Sequence, residues 1–178
     1  MRQTSFANFR CSLSRSLDLV GDWWSPLILR DIFLGLDRFD AIAEDLGLSR
    51  NLLTTRLKDL VDGGIVRRER YSEHPPRDRF VLTEAGRELA PIFAALTAWG
   101  DRWVAPEAGP PLVFKHRGRG HRLVPRVSCS HCGEAIDADD LEPIPGPGAA
   151  KGPGSNLLQK MFRERLSRSP QPAPRPSA

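Results

Sequence analysis

The segment SRNLLTTRLKDL, residues 49–60, combines one narrow apolar stripe with an outward face of distinctive chemistry. Leu53, Leu57 and Leu60 fall at the i, i+4, i+7 spacing of a helix with a single buried seam. The positions between and before them hold Ser49, Arg50, Asn51, Thr54, Thr55, Arg56 and Lys58. A helix that only meets solvent favours Glu, Lys, Gln and Ala, which are stronger helix formers. Short hydroxyls, an amide and cations instead let a backbone approach a hydrogen-bonding surface closely. The segment is built to be packed from behind and to present polar groups in front.

Its neighbours supply the packing. Residues 12–20, SLSRSLDLV, read as a helix with Leu13, Leu17 and Val20 on one face, ended by Gly21. Asp22 is placed to cap a second helix in DWWSPLILRDIFLG, which has Pro26 near its first turn and stops at Gly35. Its run of Leu27, Ile28, Leu29, Ile32, Phe33 and Leu34 is apolar nearly all round, so it is expected to be the central buried helix. A short helix over 38–46 turns Phe39, Ile42 and Leu46 inward. The turn GLS then leads into the helix at 50–62, and Gly63-Gly64 offers left-handed conformations for its end.

Beyond those glycines IVRRERYS is strand-like, EHPPRD reads as a turn, and RFVLT returns as the second strand of a hairpin. Thr83 caps a long helix, 84–104, expected to bury Leu89, Ile92, Phe93, Leu96, Trp99 and Trp103. Two helices joined by a tight turn and followed by a β-hairpin make a winged helix-turn-helix. The fold class is mainly α with a small β-hairpin, and this first domain spans 8–105.

Composition sets the outer limits. With 178 residues, 40% of them hydrophobic and 27% charged, a packed core is affordable and wholesale disorder is excluded. No apolar run reaches the roughly 18 residues of a membrane span, and the N-terminal stretch lacks the apolar region of a signal peptide. The chain is read as cytoplasmic, with no membrane partner. Net charge is +4, but its distribution says more. Residues 49–79 carry eight Lys/Arg against five Asp/Glu, and five further cations fall in 115–126 with no acid among them. Localised basic surface attracts phosphate backbones.

On these grounds double-stranded DNA is the expected partner. A helix in the major groove needs short donors and acceptors at its first turns. Ser49 at the N-cap leaves backbone amides and the positive dipole end facing phosphate. Arg50, Asn51, Thr54 and Thr55 are candidates for base edges and nearby phosphates, and Lys58, one turn on, for backbone. In the hairpin, Arg67, Arg68, Arg70, Arg77 and Arg79 either reach DNA or pair with Glu69, Glu73 and Asp78. Arg77, at the diproline tip, is the strongest candidate for a minor-groove contact.

The residues that carry this pattern resemble a known family. CSLSRSLDLVGDWWSPLILRDIFLG, RFDAIAEDLGLSRNLLTTRLKDLVDGGIVRRERY and PPRDRFVLTEAGREL are similar to HxlR-type winged-helix transcriptional regulators over about residues 8–104. The resemblance implies operator binding as a homodimer, with the first and the long helix forming the interface. It also implies a response to an electrophile, an oxidant or another small-molecule effector. Trp99 and Trp103 would anchor the interface, and Cys11 matches a cysteine that some relatives use as a redox switch. Arg10 and Arg15 are near enough in sequence to lower its pKa. A small apolar cysteine packed at a helix start is the competing reading.

The rest of the chain is not covered by that resemblance. Residues 112–142 read as a small β-rich appendage with the look of a zinc ribbon. Within it Cys129-x-x-Cys132, followed by Gly133, has the form of a zinc knuckle. His116 and His121 precede it, giving H-x4-H-x7-C-x2-C as a tentative ligand set for Zn. Where a ribbon would carry a second CxxC this chain has arginines, so loss of metal with retention of the fold, or a free oxidisable dithiol, competes with zinc. Residues 143–178 are read as a Pro/Gly-rich flexible linker, a short amphipathic helix with Leu157, Leu158, Met161, Phe162 and Leu166 on one side, and a tail.

Function follows as a homodimeric, sequence-specific DNA-binding regulator, a repressor by preference. The alternative is a winged-helix protein-interaction module without DNA binding. An enzyme is not expected, since no nucleophile–base pair or phosphate loop is present and none of the four histidines has an obvious carboxylate partner.

Overall fold

The computed structural model describes residues 5–168, and the Pro-rich tail 169–178 lies outside the described residues. The chain forms two compact units, one of residues 19–136 and one of residues up to 18 together with those from 137 on. The composition-based boundaries at 105 and 142 are therefore not the boundaries of contact. The appendage strands share a unit with the winged helix.

In the larger unit, α2 (Ser25–Leu34) starts where Asp22 folds back on the chain. Its carboxylate accepts from the backbone amides of Trp24 (2.8 Å) and Ser25 (3.1 Å) and from the Ser25 hydroxyl. Those are amides a helix start leaves without an internal partner. Gly35, at φ 101°, ends the helix. Ile28, Leu29 and Ile32 are buried, but Phe33 and Leu34 are 52% and 49% exposed. α2 is thus central without being wrapped on all sides, because α5 and β2 cover one flank and leave the C-terminal turn open.

α3 (Phe39–Leu46) and α4 (Arg50–Asp62) form the helix-turn-helix, joined through Gly47 at φ 62°. Leu53, Leu57 and Leu60 are at most 2% exposed and join Ile28, Ile42, Ile65, Val66 and Phe80 in one core. Burying a side chain of this size contributes about 1.5–3 kcal/mol. Of the glycine pair after α4, only Gly64 is left-handed (φ 71°), whereas Gly63 stays helical.

The wing is an antiparallel pair, β1 (Val66–Glu73) and β2 (Pro76–Leu82), irregular between Arg70 and Ser72. The turn is tighter than the sequence suggests. Glu73 pairs with Pro76, leaving only His74 and Pro75 between the strands. A proline at the first residue of a strand costs no central ladder bond, which is why the diproline does not hold the strands apart. Thr83 then caps α5 (Glu84–Trp103), its hydroxyl accepting from the Gly86 amide at 3.1 Å. Leu89 and Phe93 pack on the core. Ile92, Leu96, Trp99 and Trp103 do not, being 57–63% exposed.

Further on, β3 (Phe114–Lys115) and β4 (Arg122–Leu123) form a two-residue hairpin, and Ser128 bridges Ala135. The smaller unit contains most of α1 (Ser12–Val20), a short 3-10 turn (Ala138–Asp140) and α6 (Asn156–Arg168). Its Pro/Gly stretch, expected to be a free linker, makes fixed contacts here. Arg10 N–H donates to the Pro153 carbonyl (3.0 Å), and the buried Ser155 hydroxyl donates to the Ala150 carbonyl (2.7 Å). Among the described residues no helix is long and apolar enough to cross a membrane.

Candidate nucleic-acid interface

With three leucines of α4 in the core, its opposite side stands clear. Ser49, Arg50, Asn51, Thr54, Thr55 and Lys58 are all exposed. Ser49 accepts from the Leu52 amide at 3.4 Å, capping the helix, and no acid lies in the first turn to offset the dipole's positive end. Thr55 turns its hydroxyl back onto the Asn51 carbonyl (3.0 Å), which spends its donor within the helix. Asn51 and Thr54 keep their full hydrogen-bonding capacity outward.

The cations are less free than the sequence implies. Arg50 bonds Asp40 on α3 at 2.7 Å and lies 4.8 Å from the centre of the Phe39 ring. Lys58 bonds Asp62 one turn later, a contact that holds its ammonium pKa above the ordinary lysine value. Arg56 faces inward, with its guanidinium 3.3 Å from the Asp22 carboxylate and 3.5 Å from Asp59. It ties α4 to the start of α2 and is not part of the exposed face.

The strand period of two sorts the wing arginines. Arg67 and Arg79 sit with Glu69, whose carboxyl pKa is lowered chiefly by its hydrogen bond from Arg79. Arg70 pairs with Asp78 and Glu73. The pairing expected as the alternative to DNA contact thus accounts for three of the five. Among the described residues neither Arg68 nor Arg77 has a carboxylate within ion-pair distance.

Arg68 is the residue that sequence reasoning ranked too low. It stands opposite Phe80 in the register, 5.7 Å from that ring centre. It shares with Thr54 and Lys58 a groove of about 340 Å³ between α4 and the wing. The signal was available, because strand alternation puts Arg68 on the same side as the buried Phe80 and so toward the recognition helix.

The other tentative residues are placed as follows. Cys11 precedes α1, and its thiol pKa is lowered first by the backbone amide and hydroxyl of Ser14. Arg10 and Arg15, expected to do this, take no part in the shift, although both line the same open cleft as Cys11. The four zinc ligands are held as two pairs, not as one cluster. His116 and His121 face each other across the small hairpin with ring centres 5.3 Å apart. Cys129 and Cys132 share a turn closed by Gly133. Among the described residues no group of three or more His, Cys, Asp or Glu side chains is gathered to hold a metal ion.

The family model of the HxlR-like helix-turn-helix matches residues 19–108, the span of the fold just described. The chain belongs to this family. The HxlR-like match begins later than the resemblance read from sequence, leaving Cys11 and most of α1 outside it. An uncharacterized HTH-type transcriptional regulator of Mycobacterium tuberculosis (strain ATCC 25618 / H37Rv) is 44% identical over 137 residues, covering 77% of this chain and 87% of the relative. A second, from Synechocystis sp. (strain ATCC 27184 / PCC 6803 / Kazusa), is 37% identical over 99 residues, covering 55% and 73%. Among solved structures, the candidate transcription factor PA1607 matches with a TM-score of 0.70 at 32% identity, over 78% of this chain and 97% of that one. PA1374 of Pseudomonas aeruginosa, also a candidate transcription factor, matches with a TM-score of 0.55 at 31% identity, over 86% and 99%. HxlR-like proteins are thus a class of transcriptional regulators, not of enzymes.

Proposed function

We propose that this HxlR-like protein is a cytoplasmic repressor that binds operator DNA as a homodimer. One observation carries the reading. α4 buries Leu53, Leu57 and Leu60 while Ser49, Asn51 and Thr54 stand exposed at its N-terminal end, beside the unpaired Arg68 and Arg77 of the wing. Insertion of that end into the major groove sets Asn51 and Thr54 against base edges and Ser49 against phosphate. Two such helices would read half-sites about one helical turn apart.

The apolar residues left exposed on α5, Ile92, Leu96, Trp99 and Trp103, support a homodimer that covers them. An effector would shift the angle between the two recognition helices. A redox signal at Cys11 fits the lowered thiol pKa at the head of α1. A small molecule fits a cavity of about 240 Å³ lined by Leu27, Phe33, Phe93, Thr97 and Leu112.

The ion pairs Arg50–Asp40 and Lys58–Asp62 favour a second reading, an interaction module whose cations are already neutralised. Selection of bound sequences from random duplex DNA separates the two. The repressor yields an inverted repeat with a fixed half-site spacing, and the module yields no enrichment.

A further inference from the structure

Residues 112–136 pose a stability problem of their own. They contain two strands of two residues each and one isolated bridge, and none of these residues is buried. Val113, Val124 and Val127 are 55–66% exposed, so no apolar core forms inside the element. A lone two-stranded hairpin is marginal in water, and elements of this size are ordinarily closed by a disulfide or a metal ion.

The side chains supply the second option. The hairpin brings His116 and His121 together, with the His116 amide donating to the His121 carbonyl at 2.9 Å. Each ring turns its Nδ1 onto the carbonyl of the following residue, Arg117 or Arg122, at 2.9 Å. That contact selects the tautomer protonated at Nδ1 and leaves Nε2 of both rings with a free lone pair, the arrangement in which histidine binds metals.

The cysteine pair is prepared in the same sense. Cys129 N–H donates to the Glu134 carbonyl and Gly133 N–H to the Cys129 carbonyl, both at 2.8 Å. Gly133 makes the turn possible at φ 77°. The backbone amides of His131 and Cys132 face the Cys129 sulfur and stabilise it as a thiolate.

We propose that Cys129, Cys132, His116 and His121 bind one zinc ion that fastens this element. The connection 122–128 spans up to about 24 Å when extended, which is ample for one pair to close onto the other. On binding, both thiols give up their protons to solvent. Two thiolates cancel the charge of the ion, so the five cations of 115–126 do not oppose the site and favour its thiolates. Tetrahedral S2N2 coordination is the commonest demand of structural zinc.

The test uses the full chain, freed of metal under reducing conditions and titrated with zinc and with cobalt. One ion per chain is expected, with cobalt giving visible tetrahedral d–d bands and a thiolate charge-transfer band. C129S and the double variant H116N/H121N should each weaken cobalt binding by at least tenfold, with helical circular dichroism unchanged. Chelation should restore alkylation of both cysteines. No stoichiometric metal, a disulfide in place of two thiols, or cobalt affinity unchanged in H116N/H121N overturns the proposal.

Discussion

Arg50 donates to the Asp40 carboxylate at 2.7 Å, so the first cation of the recognition helix is held by the helix before it. Both side chains are more than 70% exposed, and a pair of this kind contributes about 0–1 kcal/mol to stability. Asp40 therefore competes with DNA phosphate for Arg50. Asp40→Asn should leave the urea midpoint nearly unchanged and tighten binding to any duplex at low salt, read by fluorescence anisotropy. Weaker binding would show that the pair orients Arg50 for DNA.

Gly86 is buried where α5 crosses the end of β1. A Cβ there would lie 2.3 Å from the Ile65 carbonyl oxygen and 3.3 Å from Leu82 Cδ2. Backbone cannot yield as a side-chain tip does, so Gly86→Ala must lift α5 from the hairpin. Overpacking of this sort costs about 1–3 kcal/mol, measurable by urea denaturation. A variant as stable as the parent would show that α5 is free to shift.

Asp31 is 1% exposed, with Oδ1 bonded by Arg30 and Oδ2 without a partner. Burial raises its pKa above the ordinary 3.8, outweighing the opposing hydrogen bond from Arg30. The folded state thus keeps the proton over a range in which the unfolded chain has lost it. Stability from this group is complete below 3.8 and falls as pH rises through the higher folded value. Asp31→Asn removes that decline, so the variant gains on the parent as pH climbs from the acid side toward neutrality. Parallel unfolding curves for the two across pH would refute the assignment.

The exposed stripe of α5 predicts the assembly. Leu96→Glu with Trp99→Glu should give monomers by sedimentation, with helical content intact and operator affinity reduced by at least tenfold. A variant that remains dimeric would move the interface elsewhere.

Much of this was legible in the sequence because it rests on period and punctuation. The Leu53, Leu57, Leu60 stripe, Ser49 and Thr83 as caps, and Gly35, Gly47 and Gly64 at left-handed positions are local signals, and each fell where expected. What was not legible depends on partners distant in sequence. Asp40 holding Arg50, Asp22 drawing Arg56 inward and Phe80 beneath Arg68 all link separate elements. Apolarity alone could not tell a core face from an interface. Phe33, Ile92, Leu96 and Trp99 read as buried in sequence and are exposed in the fold.

The most direct test of the central claim is duplex affinity as a function of salt, for the parent and for a variant with Asn51 and Thr54 replaced by Ala. Each phosphate contact adds about −0.9 to the slope of log affinity on log salt, whereas base contacts add discrimination between sequences. A steep slope is expected for both proteins, with preference for the selected operator over random duplex lost only in the variant. A parent without salt-dependent affinity, or a variant that keeps its preference, would contradict the assignment of α4 to the groove.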